Sequence, residues 1–314
     1  MPTLYFISTF LRNRLLLNQR EASFDTRGFP KGQKANVERF ELIGQIFMEG
    51  YNDAIQGERS SSQVLIPDRI APIYQGFYSE GFAMGSAILD ALPFSNKNHL
   101  EAWMNKGKTQ YEYLNHIGAG WAIARVPWRR KQILSNLDPV LKWLAFDGLG
   151  FHDTYFYHQK ILGGWKRNAL QGYASRAYDQ GIGRALWFVS CGDVVAAKQF
   201  ISDFNHERHA DLWSGLGLAM TYAGGKIPSN VHEYLGQEFV PNLAQGCAFA
   251  LEARSKQGFI PDAAVEAGLT LIPDHSVGEI IKLVDTYRLQ AQEYELDDQY
   301  EHWRVKLGRA LANG

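Results

Sequence analysis

The sequence predicts an all-α chain of tandem helix hairpins, about eight with a period of about 33 residues, wound into a superhelix or toroid. Three observations predict it: a glycine that returns at near-constant spacing, small residues two and four places after it, and turn formers between the returns. The marker glycines are Gly50, Gly81, Gly118, Gly148, Gly181, Gly215, Gly246 and Gly278, spaced by 31, 37, 30, 33, 34, 31 and 32 residues. That spacing is the length of two helices and two turns. One such hairpin cannot bury its own apolar face, so the units must stack.

Residues 1–40 read as an N-terminal helical cap. The opening MPTLYFISTFLRNRLLL is apolar but interrupted by Arg12 and Arg14, and no small-residue cleavage site follows. It reads as an amphipathic helix packed on the body rather than a signal peptide. Arg27-Gly28-Phe29-Pro30 closes this section.

The repeat body spans 41–288. Its stripe appears at Gly81, Ala83 and Gly85, at Gly118, Gly120 and Ala122, at Gly181, Gly183 and Ala185, at Gly215, Gly217 and Ala219, and at Gly246, Ala248 and Ala250. Positions four apart share a helix face. A glycine inside a helix costs roughly 0.5–1 kcal/mol against alanine, so the stripe implies a neighbouring backbone that comes close. Pro93, Pro127, Ser190-Cys191-Gly192-Asp193 and Gly224-Gly225-Lys226-Ile227-Pro228 stand where hairpins should turn. Residues 289–314 read as a polar C-terminal capping helix, with Asp297, Asp298, Glu301 and Arg304 exposing charge. No linker or low-complexity run divides the chain, so one domain is expected.

The composition is globular, 46% hydrophobic and 21% charged over 314 residues. A formal net charge of −1 supplies no field to attract nucleic acid or an anionic membrane. No window approaches ~18 uninterrupted apolar residues, so no membrane span is expected. Cys191 and Cys247 lie far apart without metal spacing, which fits a reducing compartment, the cytoplasm. His206, His209 and Asp211 invite a metal, but spacing provides no further ligand, and a polar turn before a helix explains them better. Dinucleotide, Walker, nucleophile-elbow and zincin motifs are all missing from the sequence, so neither a cofactor nor a metal is expected.

The chemistry should lie on the face shared by the residues one before and three after each marker. Glu80 and Asp147 hold the first position, Met84, Trp121, Phe151, Arg184 and Phe249 the second. Such a face would make a groove with apolar walls and polar rungs, suited to a long hydrophobic ligand; the competing reading is inter-repeat core. The unit FDGLGFHDTYFYH is unusual because His152 replaces the small residue, bringing an imidazole near Asp147 and Asp153 for acid–base work. Arg184 is five residues from Asp179, and Asp147 of the adjacent unit is its natural partner. The candidate catalytic set is Asp147, His152, Arg184, Asp179 and Glu80. The candidate substrate wall is Trp121, Phe151, Phe249 and Met84, with His116 and Gln180.

The period and stripe resemble tetratricopeptide-type and Sel1-like repeats, most closely in ADLWSGLGLAMTYAGG. Taken in order, GFYSEGFAMGSAILDAL, YLNHIGAGWAIARVP, WLAFDGLGFHDTYF, AYDQGIGRALWFV and RHADLWSGLGLAMTYAGG resemble the enediyne biosynthesis proteins of the UnbL type, which carry a domain of unknown function. The resemblance covers residues 27–260. It implies a bacterial protein acting beside a polyketide synthase that makes long conjugated polyenes, and it carries no catalytic assignment. The expected function is an enzyme, or enzyme subunit, that cyclises or isomerises such an intermediate by acid–base chemistry without a redox cofactor. Another protein of the same pathway is a candidate partner. The alternative is a non-catalytic helical scaffold or carrier that binds a pathway protein or a hydrophobic ligand.

Overall fold

The computed structural model describes residues 12–57, 66–92, 98–106, 110–165 and 170–312. Among these, all regular structure is helical and no strand occurs. In chain order the α-helices are α1 (Phe24–Arg27), α2 (Lys34–Gln56), α3 (Gln75–Ala91), α4 (His99–Lys106), α5 (Glu112–Arg125), α6 (Arg130–Ser135) and α7 (Trp143–Leu162). They continue as α8 (Tyr173–Val189), α9 (Val194–Ser202), α10 (His206–Ala223), α11 (Val240–Lys256), α12 (Asp262–Leu271), α13 (Val277–Ala291) and α14 (Gln299–Ala312). The long helices pack in series, α2 on α3, then α5, α7, α8, α10 and α11, and α11 packs on α14.

Glycine makes this series possible, and the reason is space. A Cβ on Gly118 would lie 2.1 Å from the Glu80 carbonyl oxygen, and one on Gly148 would lie 2.1 Å from that of Ile117. Gly181, Gly215 and Gly246 stand in the same way over Asp147, Gln180 and Ser214, at 1.8, 1.9 and 1.9 Å. In each case the carbonyl belongs to the residue just before the preceding helix's marker. The second glycines reciprocate: Gly120, Gly150, Gly183 and Gly217 would meet Ala145, Tyr178, Leu212 and Leu243 oxygens at 2.0, 2.0, 2.0 and 2.2 Å. Any side chain at these places would have to displace backbone.

Two of the eight expected markers are corrected. Gly50 would meet the Tyr78 oxygen at 2.1 Å, the role of a second glycine, while Gly81 seats over Phe47. The marker position in α2 is therefore occupied by Met48. Two matching hydrogen bonds show the same register: Tyr78 donates to Asp53 at 2.6 Å, and Tyr178 to Asp153 at 2.8 Å. The physical reason is that α2 is the first long helix among the described residues, so none of them forms an earlier one to press on Met48. Gly278 has nothing within 4 Å, and in the C-terminal region it is Gly308 of α14 that approaches a backbone oxygen, that of Pro241, at 2.5 Å.

The ends also differ from expectation. The expected boundaries at 40/41 and 288/289 fall inside α2 and α13, because helical pattern continues across both. Arg304 is not exposed; it is buried at 4% exposure, and Tyr300 and Trp303 beside it are in the core. Asp297 remains exposed and pairs with Lys142 at 2.5 Å, and Glu301 pairs with Arg176. At the other end, Tyr51 donates to the Leu15 carbonyl at 2.9 Å, and Asn52 brackets the Leu17 backbone at 2.9 and 3.0 Å. Residues 1–11 of the apolar opening, and Pro93, lie outside the described residues. Among the described residues, no helix is long and apolar enough to cross a membrane.

Candidate functional site

The long helices surround a narrow cavity of about 70 Å³ whose wall is almost entirely apolar. Side chains from α2, α3, α5, α7, α8, α10, α11 and α14 all reach it. The residue three after each of the six marker glycines from Gly81 to Gly246 is in this wall: Met84, Trp121, Phe151, Arg184, Leu218 and Phe249. One helical turn further on, Arg125, Tyr155, Phe188, Tyr222 and Ala253 continue the same face. This second row was legible from the same periodicity but was not anticipated. Of the residues before the markers, Glu80 and Ile117 line the cavity, whereas Asp147, Gln180, Ser214 and Gln245 do not.

Among the described residues, Glu80 is the carboxyl that faces this space. Burial is the main force on it and raises it to about 7, with Arg184 opposing, Asp147 reinforcing and Trp121 opposing. Its nearest cation is the Arg184 guanidinium, Nη2 to Oε1 3.9 Å, which is beyond hydrogen-bond distance. The Trp121 indole N–H is buried near this carboxyl without a well-formed hydrogen bond. Arg184 Nη1 donates to Asp147 Oδ1 at 2.5 Å, and its guanidinium lies 4.9 Å over the Phe151 ring. Asp147 is likewise raised by burial, against the pull of Arg184. The anticipated Arg184–Asp147 pair between adjacent units is therefore present, and it aims a cation at Glu80.

The other expected residues are placed elsewhere. His152 is buried, but its Nε2 accepts from Arg125 Nε at 3.1 Å and its Nδ1 faces Asp153 Oδ1 at 3.2 Å. It does not share Asp147, whose partner is across the helix seam. Asp179 is held by both arms of Arg208, at 2.9 and 2.5 Å, not by Arg184. His116 is not in the cavity wall: Nδ1 donates to the Glu112 carbonyl at 2.7 Å, and Nε2 accepts from the Asp138 amide at 3.1 Å. Burial lowers it to about 4, so the ring is neutral and staples two backbone segments. Gln180 is buried outside the wall, its Nε2 lacking a partner. Phe249 is in the wall, tilted on Trp303 at 4.4 Å.

A second polar centre went unread in the sequence. Arg304 of α14 donates to Gln245 Oε1 at 3.0 Å, Tyr173 OH at 2.7 Å, Asp211 Oδ1 at 3.0 Å and Ser214 Oγ at 2.9 Å. Burial works against the charge, but Tyr173 and Asp211 outweigh it and hold the guanidinium above its usual range. No spacing rule links position 304 to 211, 214 and 245, so periodicity could not find it. Asp211 is thereby committed to Arg304 and Arg176, while His209 faces the Phe204 carbonyl at 2.9 Å. The three residues that suggested a metal do not converge. Among the described residues, no cluster of three or more potential metal ligands occurs.

Fold and site together define a class: an all-helical protein whose long helices enclose a narrow apolar cavity containing a buried carboxyl and an ion-paired arginine. The chain belongs to the DUF1702 family, proteins of unknown function, whose sequence model matches residues 7–311. No curated protein matches it, and no solved structure does.

Proposed function

We propose that the protein is a bacterial natural-product biosynthesis enzyme that binds a long apolar, conjugated chain in its central cavity and isomerises or cyclises it by proton transfer. The observation that carries this reading is Glu80, a carboxyl raised to about 7 in the wall of an otherwise apolar cavity. An acid poised near neutrality can give a proton and take one back. Protonation at one carbon of a polyene creates a delocalised cation, and loss of a proton from another carbon returns the carboxyl to its starting state. The product is an isomer, and no oxidant or reductant is consumed. The faces of Trp121, Phe151 and Phe249 suit a transient carbocation, and the apolar wall keeps water from trapping it.

Two further points support the reading. The almost wholly apolar wall of the cavity suits a hydrocarbon ligand over a polar one. The glycine-marked segments resemble enediyne biosynthesis proteins, whose context is polyene assembly. The recurring glycine contacts also support a tandem array of helical hairpins, and helices from both ends of the chain in one cavity wall support a closed array rather than an open one.

A carrier without catalysis is the second reading. It is favoured by the engagement of Asp147, His152 and Asp179 with Arg184, Arg125 and Arg208, which leaves Glu80 to act without a second acid or base. The two readings separate in one experiment. A linear conjugated polyene is mixed with the protein and its absorption bands are followed over time, beside Glu80→Gln. Progressive band loss that slows at least ~100-fold in Glu80→Gln, at unchanged melting temperature, is the enzyme result. A shift that saturates equally in both proteins refutes catalysis and leaves the carrier.

A further inference from the structure

Two N–H donors from different helices are brought beside Glu80 of α3, and neither makes a well-formed hydrogen bond to it. Arg184 of α8 has Nη1 on Asp147 at 2.5 Å, while Nη2 stands toward Glu80 and stops 3.9 Å from Oε1. That gap is too long for a hydrogen bond. The Trp121 indole N–H of α5 is buried and, among the described residues, has no hydrogen-bond partner. Both side chains line the cavity, and both are held in place. The Arg184 guanidinium lies 4.9 Å over the Phe151 ring, and the Trp121 ring packs on Phe47 at 4.4 Å and on Phe151 at 5.3 Å. Elsewhere in the wall, Arg125 donates to His152 at 3.1 Å and Tyr222 accepts from Gln257 at 2.6 Å. A buried N–H without an acceptor costs stability, and a ligand oxygen placed there recovers it.

We propose that Arg184 and Trp121 form a seat for a carbonyl oxygen, so that the chain taken into the cavity is a ketone or other neutral carbonyl compound. This inference rests on the proposed function in taking the cavity as a chain site. Charge balance selects a neutral oxygen. The Arg184 cation is already matched by Asp147 at 2.5 Å, and a carboxylate would add a further anion beside Asp147 and Glu80 in an apolar surrounding. A carbonyl brings an acceptor and no charge, whereas a bare hydrocarbon leaves both donors as they are. Donors held in fixed positions also polarise the oxygen they receive. In a conjugated chain that polarisation reaches the neighbouring double bonds. A seated oxygen sets the register as well, because it places the same carbons beside Glu80 in every bound molecule.

The test is equilibrium dialysis, with chromatographic detection, of 2-nonanone, 2-methyl-1-nonene and octanoate against the full-length protein. The three share one heptyl chain and differ at the end, which is a carbonyl, the same shape without an acceptor, or an anion. The ketone should bind the wild type at least about tenfold tighter than the alkene, and tighter than octanoate. Its carbonyl stretch in the bound state should lie below the value in hexane. Trp121→Phe loses the N–H and keeps a ring, and Arg184→Lys keeps a cation for Asp147 without the planar second arm. In each, the preference for ketone over alkene should fall at least about threefold. Equal binding of ketone and alkene to the wild type overturns the seat while leaving the chain site standing, and so does octanoate binding tighter than the ketone. No binding of any of the three overturns both. The wild-type comparison decides the question even if a variant folds poorly.

Discussion

At the position before a marker glycine, α3 carries Glu80, whereas α10 and α11 carry Ser214 and Gln245. The backbone at these places is treated alike. The Glu80 carbonyl lies under Gly118 and the Ser214 carbonyl under Gly246, at nearly the same distance. The side chains are treated in opposite ways. Ser214 donates to Gln245 Oε1 at 2.7 Å, and both oxygens accept from Arg304, so the Ser214 hydroxyl and the Gln245 carbonyl are held in one network. Glu80 has a cation at 3.9 Å, the Trp121 indole N–H without a well-formed hydrogen bond, and an apolar space in front of it. A satisfied buried network adds rigidity, while an incompletely satisfied one costs stability and is retained where it does something. The difference is made by α14, which inserts an arginine on one side and leaves the other facing the cavity.

That comparison can be sharpened or broken by four measurements. The largest effect should come from the frame that both regions share. Gly118→Ala and Gly246→Ala each drive a Cβ into a backbone oxygen, so each should lose about 4 kcal/mol or more, or fail to fold. Soluble, normally melting protein from either variant would refute the close-contact account. Next is Arg304→Ala, which leaves buried Asp211, Ser214 and Gln245 short of a partner and should cost about 3–5 kcal/mol in urea unfolding. A loss below ~1 kcal/mol would mean that the Arg304 network contributes no more than an exposed ion pair does.

The third effect is a pH dependence confined to the open region. Glu80 binds its proton more tightly in the folded protein, since burial raises it from 4.5 to about 7. Between those values the folded state holds more protons than the unfolded one, so this contribution is full below pH 4.5 and lost as pH rises through 7. Its size is about 3 kcal/mol. His116 acts in the opposite sense, its contribution being lost as pH falls from 6.5 to about 4, so the wild-type curve alone mixes the two. The informative quantity is Glu80→Gln minus wild type, which should grow by about 3 kcal/mol from pH 4.5 to 7. Parallel curves would show that Glu80 titrates normally. The smallest effect is expected at Gly278, where an added Cβ meets nothing. Gly278→Ala should be neutral or gain up to ~1 kcal/mol in thermal melting, in contrast to the other glycines.

How much was legible follows from where the information lies. Seven of the eight glycines sit at helix contacts, six of them in the marker register, and the residue three after each of those six lines the cavity, because both facts depend only on helical periodicity. The Arg184–Asp147 pair was legible for the same reason, since adjacent units place those positions at one seam. His116 and Gln180 were misplaced because periodicity gives an angle around a helix but not which neighbour closes over it. Gly50 misled because a glycine at one place in the stripe looks, in sequence, like a glycine two places along.

Local pattern along the chain sets the helices, the close-packed seams between them and the face on which cavity residues sit, since each of these depends on residues within one or two turns. The tertiary structure alone decided that Arg304 enters the core, that Asp179 turns to Arg208, and that Glu80 keeps an apolar space before it. Those outcomes depend on which distant segment fills a given volume. Local pattern carries no record of that choice, because a buried guanidinium and an exposed one occupy the same position on a helical wheel.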